Sequence, residues 1–157
     1  MRQYTTATAM GRLMVSEHSG QSVASVINQF IMRLMQRLAT LLWAAEVEVV
    51  DACLNMIQLL ITTQSRSHAL SNRLMLVELP GALSTLVDMV SKPYPIPHVC
   101  NQAVTVLRQL ASTEGRVKDA VQCYELTLLE VGMNRVAQAP QVAHILRDLS
   151  TKRRLEK

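Results

Sequence analysis

Apolar residues recur along this chain at the three-to-four-residue spacing of a helix, and short polar or proline-rich breaks separate the runs. From Ser22, a residue suited to capping, a long amphipathic pattern carries Val23, Val26, Ile27, Phe30, Ile31, Leu34, Leu38, Leu41 and Leu42, with Arg33 and Arg37 assigned to the opposite face. Glu46 and Glu48 mark a fresh start, since acids suit a helix N-terminus. The helix they open holds Val49, Val50, Cys53, Leu54, Ile57, Leu60 and Ile61. After polar Thr62–Ser67 the pattern predicts helices over His68–Glu78, Gly81–Ser91 and His98–Ser112. Pro80-Gly81 breaks the first pair, and Pro93, Pro95 and Pro97 force an extended bend before the third. Val117–Gln138 reads as one or two helices with Gly132 as the joint, and Ala139-Pro140 opens the last. Residues 1–21 are polar and interrupted by Gly11 and Gly20. They read as a flexible lead-in to one helical domain over residues 22–157.

Composition supports an all-α chain. Of 157 residues, 49% are hydrophobic, which excludes disorder, while 3% aromatics and nine Met point to Leu-, Val- and Met-packed helices rather than strands. Three cysteines without a CxxC read as small buried thiols of a reducing compartment, so the expected location is the cytoplasm or nucleus. No apolar run is long enough to predict a membrane span. The net charge of +4 is uneven, with eight Lys/Arg against five Asp/Glu from Arg116 to Lys157. A nucleic-acid binder shows a denser basic stripe, so this balance argues against such a partner. A helical nucleic-acid-associated module using that basic quarter stands as the alternative.

The helices repeat. At an offset of 43, Arg73 falls on Arg116, Leu74 on Val117, Leu83 on Leu126, Leu86 on Leu129 and Val99 on Val142. At an offset of 39, Val106-Leu107-Arg108-Gln109-Leu110 falls on Ile145-Leu146-Arg147-Asp148-Leu149. Upstream, an offset of 50 places Cys53 on Ala103, Ile57 on Leu107 and Leu60 on Leu110. The result is about three degenerate units of roughly 40 to 50 residues, the range of armadillo and HEAT repeats.

One unit is well preserved. Asn72-Arg73, Val77-Glu78, Gly81-Ala82-Leu83, Leu86-Val87 and Ala103-Val104-Thr105-Val106-Leu107-Arg108-Gln109-Leu110-Ala111 together resemble an armadillo repeat. The resemblance covers about Gln29 to Leu155. It implies a right-handed α-solenoid, with a concave groove lined by the third helix of each unit and occupied by a peptide or partner helix. In the importin-alpha branch that helix carries a Trp and, four residues on, an Asn. Here the first position falls on Asn55, Thr105 and His144, and the second on Leu59, Gln109 and Asp148. No unit keeps the pair, so the resemblance does not bring that branch's cargo with it. These residues are the expected groove contacts. Arg108 and Arg147, one residue off the line, are expected to meet acidic groups of a partner. Phe30 and Trp43 are expected to lie open on the N-terminal helix unless a partner or second copy covers them, giving a homo- or hetero-oligomer.

Catalytic chemistry has no such pattern. His18, His68, His98 and His144 are scattered without an HExxH or a ligand pair one turn apart, and the five glycines occur singly rather than in a phosphate loop. Cys123, beside Tyr124, has no basic neighbour to activate it and reads as structural. His144 and Asp148 are one turn apart and are expected to share a local hydrogen bond, with no nucleophile nearby. The sequence therefore predicts no catalytic residue, no metal and no cofactor. It predicts a non-catalytic adaptor or scaffold domain that binds a protein or peptide.

Overall fold

Several of the helices start or stop at a cap, a glycine or a proline of the sequence. The fold is that of a computed structural model, which describes the backbone of residues 17–42, 46–93 and 95–156 and the side chains of residues 26, 29–42, 46–93 and 95–151. Eight α-helices are described: α1 (Glu17–Leu41), α2 (Val47–Ile61), α3 (Arg66–Glu78), α4 (Ala82–Ser91), α5 (Pro97–Ala111), α6 (Arg116–Gln122), α7 (Glu125–Asn134) and α8 (Ala139–Glu156). A 3₁₀ turn, Val136–Gln138, joins the last two. Among the described residues every regular element is helical.

Local chemistry explains the boundaries. Ser65 Oγ accepts from the amide of His68 at 3.5 Å and caps α3. Gly81 and Gly115 have φ of 80° and 90°, so each turns the chain into the next helix in a conformation that a side chain would strain. Pro97 occupies the first turn of α5, where a missing N–H costs nothing. α1 starts at Glu17, ahead of Ser22, and runs through Gly20; residues 1–16 of the expected lead-in lie outside the described residues, as do Trp43 and Tyr94.

Two expectations are corrected. The break in Val117–Gln138 falls at Cys123-Tyr124, and Gly132 lies inside α7. Its role is close packing: a Cβ there would stand 3.3 Å from Val142 Cγ1 of α8. Cys53 and Cys100 are buried, but Cys123, at the α6–α7 break, is exposed. Its Sγ lies 3.5 Å from the carbonyl of Asp119.

The chain divides into two compact units, residues 1–34 and 35–157. Within the second, packing has a period of three helices. α2 lies on α5 and α5 on α8; α3 lies on α6; α4 lies on α7. Each helix thus meets its counterpart in the next triplet, as the sequence offsets require. α5 is central and packs against α2, α4, α6 and α8. The core follows the same rhythm. Ile57 of α2, Leu107 and Leu110 of α5, and Ile145 and Leu149 of α8 are fully buried, as are Leu86 of α4 and Leu128 of α7. Each such side chain contributes about 1.5–3 kcal/mol of burial free energy. No single triplet could enclose these residues without its neighbour.

Candidate functional site

The third helices of the triplets, α2, α5 and α8, are stitched together by polar side chains. Asp51 Oδ1 of α2 accepts from His98 Nε2 at 2.7 Å and from the Gln102 amide, both on α5. Asn101 Oδ1 of α5 accepts from Gln141 Nε2 of α8 at 2.8 Å. Further along, Arg108 Nε donates to Asp148 Oδ2 at 3.2 Å. A hydrophobic seam fixes distance between helices; these pairs fix register.

Arg73 of α3 anchors the other edge of this surface. Its Nε donates to the carbonyl of Ile61 at 2.8 Å, its Nη1 to Thr113 Oγ1 at 2.9 Å, and its Nη2 to Gln109 Oε1 at 3.2 Å. Beside it Asn72 Nδ2 donates to the carbonyl of Leu60 at 2.7 Å. Leu60 and Ile61 end α2, so these carbonyls lack intrahelical partners and Asn72-Arg73 satisfies them. Partial burial pushes the Arg73 guanidinium below its ordinary pKa.

Two adjoining depressions result. One is lined by Val104, Thr105, Arg108, Gln109, Ser112 and Asp148. The other is lined by Thr62, Thr63, Arg66, Ala69, Leu70, Arg73 and Gln109. Gln109 borders both, so the surface runs continuously from the α2–α3 corner across α5 to α8.

Four of the eight expected contact residues, Thr105, Arg108, Gln109 and Asp148, share the first depression. Thr105 is exposed and its hydroxyl donates to the carbonyl of Asn101 at 3.0 Å. Arg108, expected to meet a partner's acid, already faces Asp148. Asp148 does so in place of the expected bond to His144, whose Nδ1 lies 3.3 Å from Arg147 Nη2. His144 and Arg147 are exposed on α8, and Asn55 and Leu59 are exposed on α2; all four lie outside the two depressions. Leu59, 67% exposed, is an apolar side chain open at the position expected of a contact. Sequence reasoning missed Arg66, Arg73, Ser112 and the Asp51–His98 pair. For Arg73 the signal was present in the Asn72-Arg73 motif, which lies in the helix that follows the bare carbonyl end of α2.

Among the described residues, no group of three or more His, Cys, Asp or Glu side chains is placed to hold a metal ion. No single described helix is long and apolar enough to cross a membrane.

With this geometry in view, comparison with known proteins gives a partial answer. The chain is 24% identical over 146 residues to an armadillo repeat-containing protein, LFR, of Arabidopsis thaliana. The alignment takes in 93% of this chain, which spans 30% of that protein's length. No protein-family model matches, and no solved structure matches. The likeness and the all-helical fold support an armadillo-like relationship while leaving membership of the family open.

Proposed function

We propose that the chain is a non-catalytic protein-interaction module of the cytoplasm or nucleus, built as a right-handed armadillo-like solenoid of about three units. It binds an extended peptide or partner helix along α2, α5 and α8. The observation that carries the reading is the continuous polar surface through Gln109, set on helices that pack with a three-helix period. The likeness to an armadillo repeat-containing protein supports it.

The charges favour one kind of ligand. Arg108 is answered by Asp148, whereas the groups facing Arg73 are a carbonyl, a hydroxyl and an amide oxygen, all uncharged. Arg66 adds an exposed cation to the same depression, with Leu70 beside it, 44% exposed. A segment presenting a carboxylate next to an aliphatic side chain fits there. Thr62, Thr63 and Thr105 supply hydroxyls for its backbone.

The test is a pull-down with mass spectrometry, comparing the parent with Thr105→Glu/Arg66→Glu. Both positions are exposed, so helix content and melting temperature stay at the parental values. Partners bound by the parent are lost from the variant. Identical partners for the two proteins would refute the groove.

A further inference from the structure

We infer that the depression holding Arg66 and Arg73 reads a phosphorylated serine or threonine of the bound segment, with an aliphatic neighbour of that residue against Leu70. This rests on the interaction-module reading above and names the group the partner presents. Charge along the chain is the starting point. From Ala52 to Val77 there is no Asp or Glu, and Arg66 and Arg73 both fall in this stretch. Folding brings no acid to them either, since none of the side chains lining the depression is acidic. Neighbouring cations are matched differently. Arg108 faces Asp148 at 3.2 Å, Lys118 faces Glu114 at 2.8 Å, and Arg116 faces Glu78. Arg66 and Arg73 thus bring two positive charges to one concave spot that holds no counter-charge.

The donors favour a phosphoryl group over a carboxylate. Arg73 is held by the Ile61 carbonyl, Thr113 and Gln109, which take three of the five guanidinium hydrogens and leave two. Fixed by uncharged acceptors, it is a preorganised cation. Gln109 accepts from Arg73 through Oε1, so its amide N–H groups remain as donors, and Thr63 adds a hydroxyl. Arg66 is exposed and supplies a second guanidinium. A carboxylate brings one charge and two oxygens, which one guanidinium answers. A phosphoryl group brings a charge of about −1.5 to −2 and three acceptor oxygens, enough to engage both arginines and the hydroxyl and amide donors beside them. Leu70 lies between the two arginines on the same face of α3, where it meets the aliphatic neighbour. Nucleic acid is the poorer match, because it presents phosphates in a row, and Arg108, the next cation along the surface, is already taken by Asp148.

Fluorescence anisotropy on the full chain tests the inference. Peptides are selected from a library with a fixed central phosphoserine and random flanks, and the selected sequence is remade with Ser and with Glu at that position. The phosphoserine form is expected to bind roughly a hundredfold more tightly than the Ser form and roughly tenfold more tightly than the Glu form, the worth of two charge-assisted hydrogen bonds and of one. Arg66→Gln, at an exposed position, brings the phosphoserine form close to the Ser form at an unchanged melting temperature, and Arg66→Lys restores part of the difference. A preference for phosphoserine that survives Arg66→Gln overturns the inference. If the three forms bind equally and Thr105→Glu weakens them all, the groove stands and the phosphate inference falls. A library that yields no binder also overturns it, and the pull-down with Thr105→Glu/Arg66→Glu then decides the groove alone. Tighter binding to vesicles carrying phosphorylated inositol lipids, or to single-stranded RNA, than to any selected phosphopeptide overturns it as well.

Discussion

Arg73 Nε lies 2.8 Å from the carbonyl oxygen of Ile61, across the corner between α2 and α3. One guanidinium therefore closes the bare end of a helix in one unit while its other nitrogens reach Thr113 and Gln109 at the end of α5. Arg73→Met keeps the aliphatic stem but leaves three acceptors without their charged donor. The expected loss is about 2–3 kcal/mol, read as a lower urea midpoint. Arg73→Lys recovers little of it, because an ammonium cannot address three acceptors from a planar fork. A midpoint unchanged in Arg73→Met would show that water serves these carbonyls equally well.

Lys118 is the largest fully buried side chain of the described core, and its Nζ donates to Glu114 Oε1 at 2.8 Å. Glu114 is 58% exposed at its side chain, so the pair is screened on one side. Glu114→Gln is expected to cost about 1 kcal/mol, at the modest end for a broken ion pair, by leaving a buried ammonium with a neutral acceptor. Lys118→Met is expected to be neutral or stabilising, because the thioether fills the site without a charge to desolvate. Thermal melts decide between them; a strongly destabilised Lys118→Met would mean that the ammonium has a structural task beyond Glu114.

Gly132 of α7 packs against Val142 of α8. Gly132→Ala gains about 1 kcal/mol of helix propensity and loses part of it in moving Val142. The net change is expected to be small. Gly132→Val adds two methyl groups at a contact that has no room for them, with an expected loss of about 1–3 kcal/mol in chemical denaturation.

The cysteines separate by burial. Burial pushes the Cys53 and Cys100 thiols above their ordinary pKa. A raised folded-state value means that the native state holds the proton more tightly than the unfolded chain. The corresponding stability is complete below about pH 8.5, where unfolded thiols are protonated, and is lost as pH rises through the raised values. Stability is expected to decline in mild alkali, and less so in Cys100→Ala once its lower baseline is subtracted. In a thiol titration of the native protein, Cys123 reacts first, and Cys53 and Cys100 react only as the chain unfolds. Three thiols reacting at one rate would contradict the burial.

What the sequence made legible was whatever is local to one helix. Helix existence, the proline bend before α5, and the correspondence of Leu83 with Leu126 follow from spacing alone. The α6–α7 break was misplaced because Gly132 resembles a joint, whereas its neighbour Val142 belongs to another helix and its role depends on packing. The side-chain partners of the expected groove residues were hidden for the same reason. Arg108 and Arg147 read as equivalent rungs, yet Arg108 crosses to Asp148, and that choice depends on the axial offset between α5 and α8. Arg33 was assigned to the face opposite the apolar run that includes Phe30, yet both are exposed, because hydrophobicity alone cannot tell which of two apolar arcs is buried.

The central position of α5 has a dynamic consequence. Among the triplet helices α5 has the most extensive packing, held by α2 before it, α8 after it, and α4 and α6 beside it. Amide hydrogens of Ala103, Val106 and Leu107 should therefore exchange with deuterium only in the globally unfolded chain, while α7 and α8 open in partial excursions from one end. The molecule would then lose its order in steps from its termini, with the central rung the last to melt.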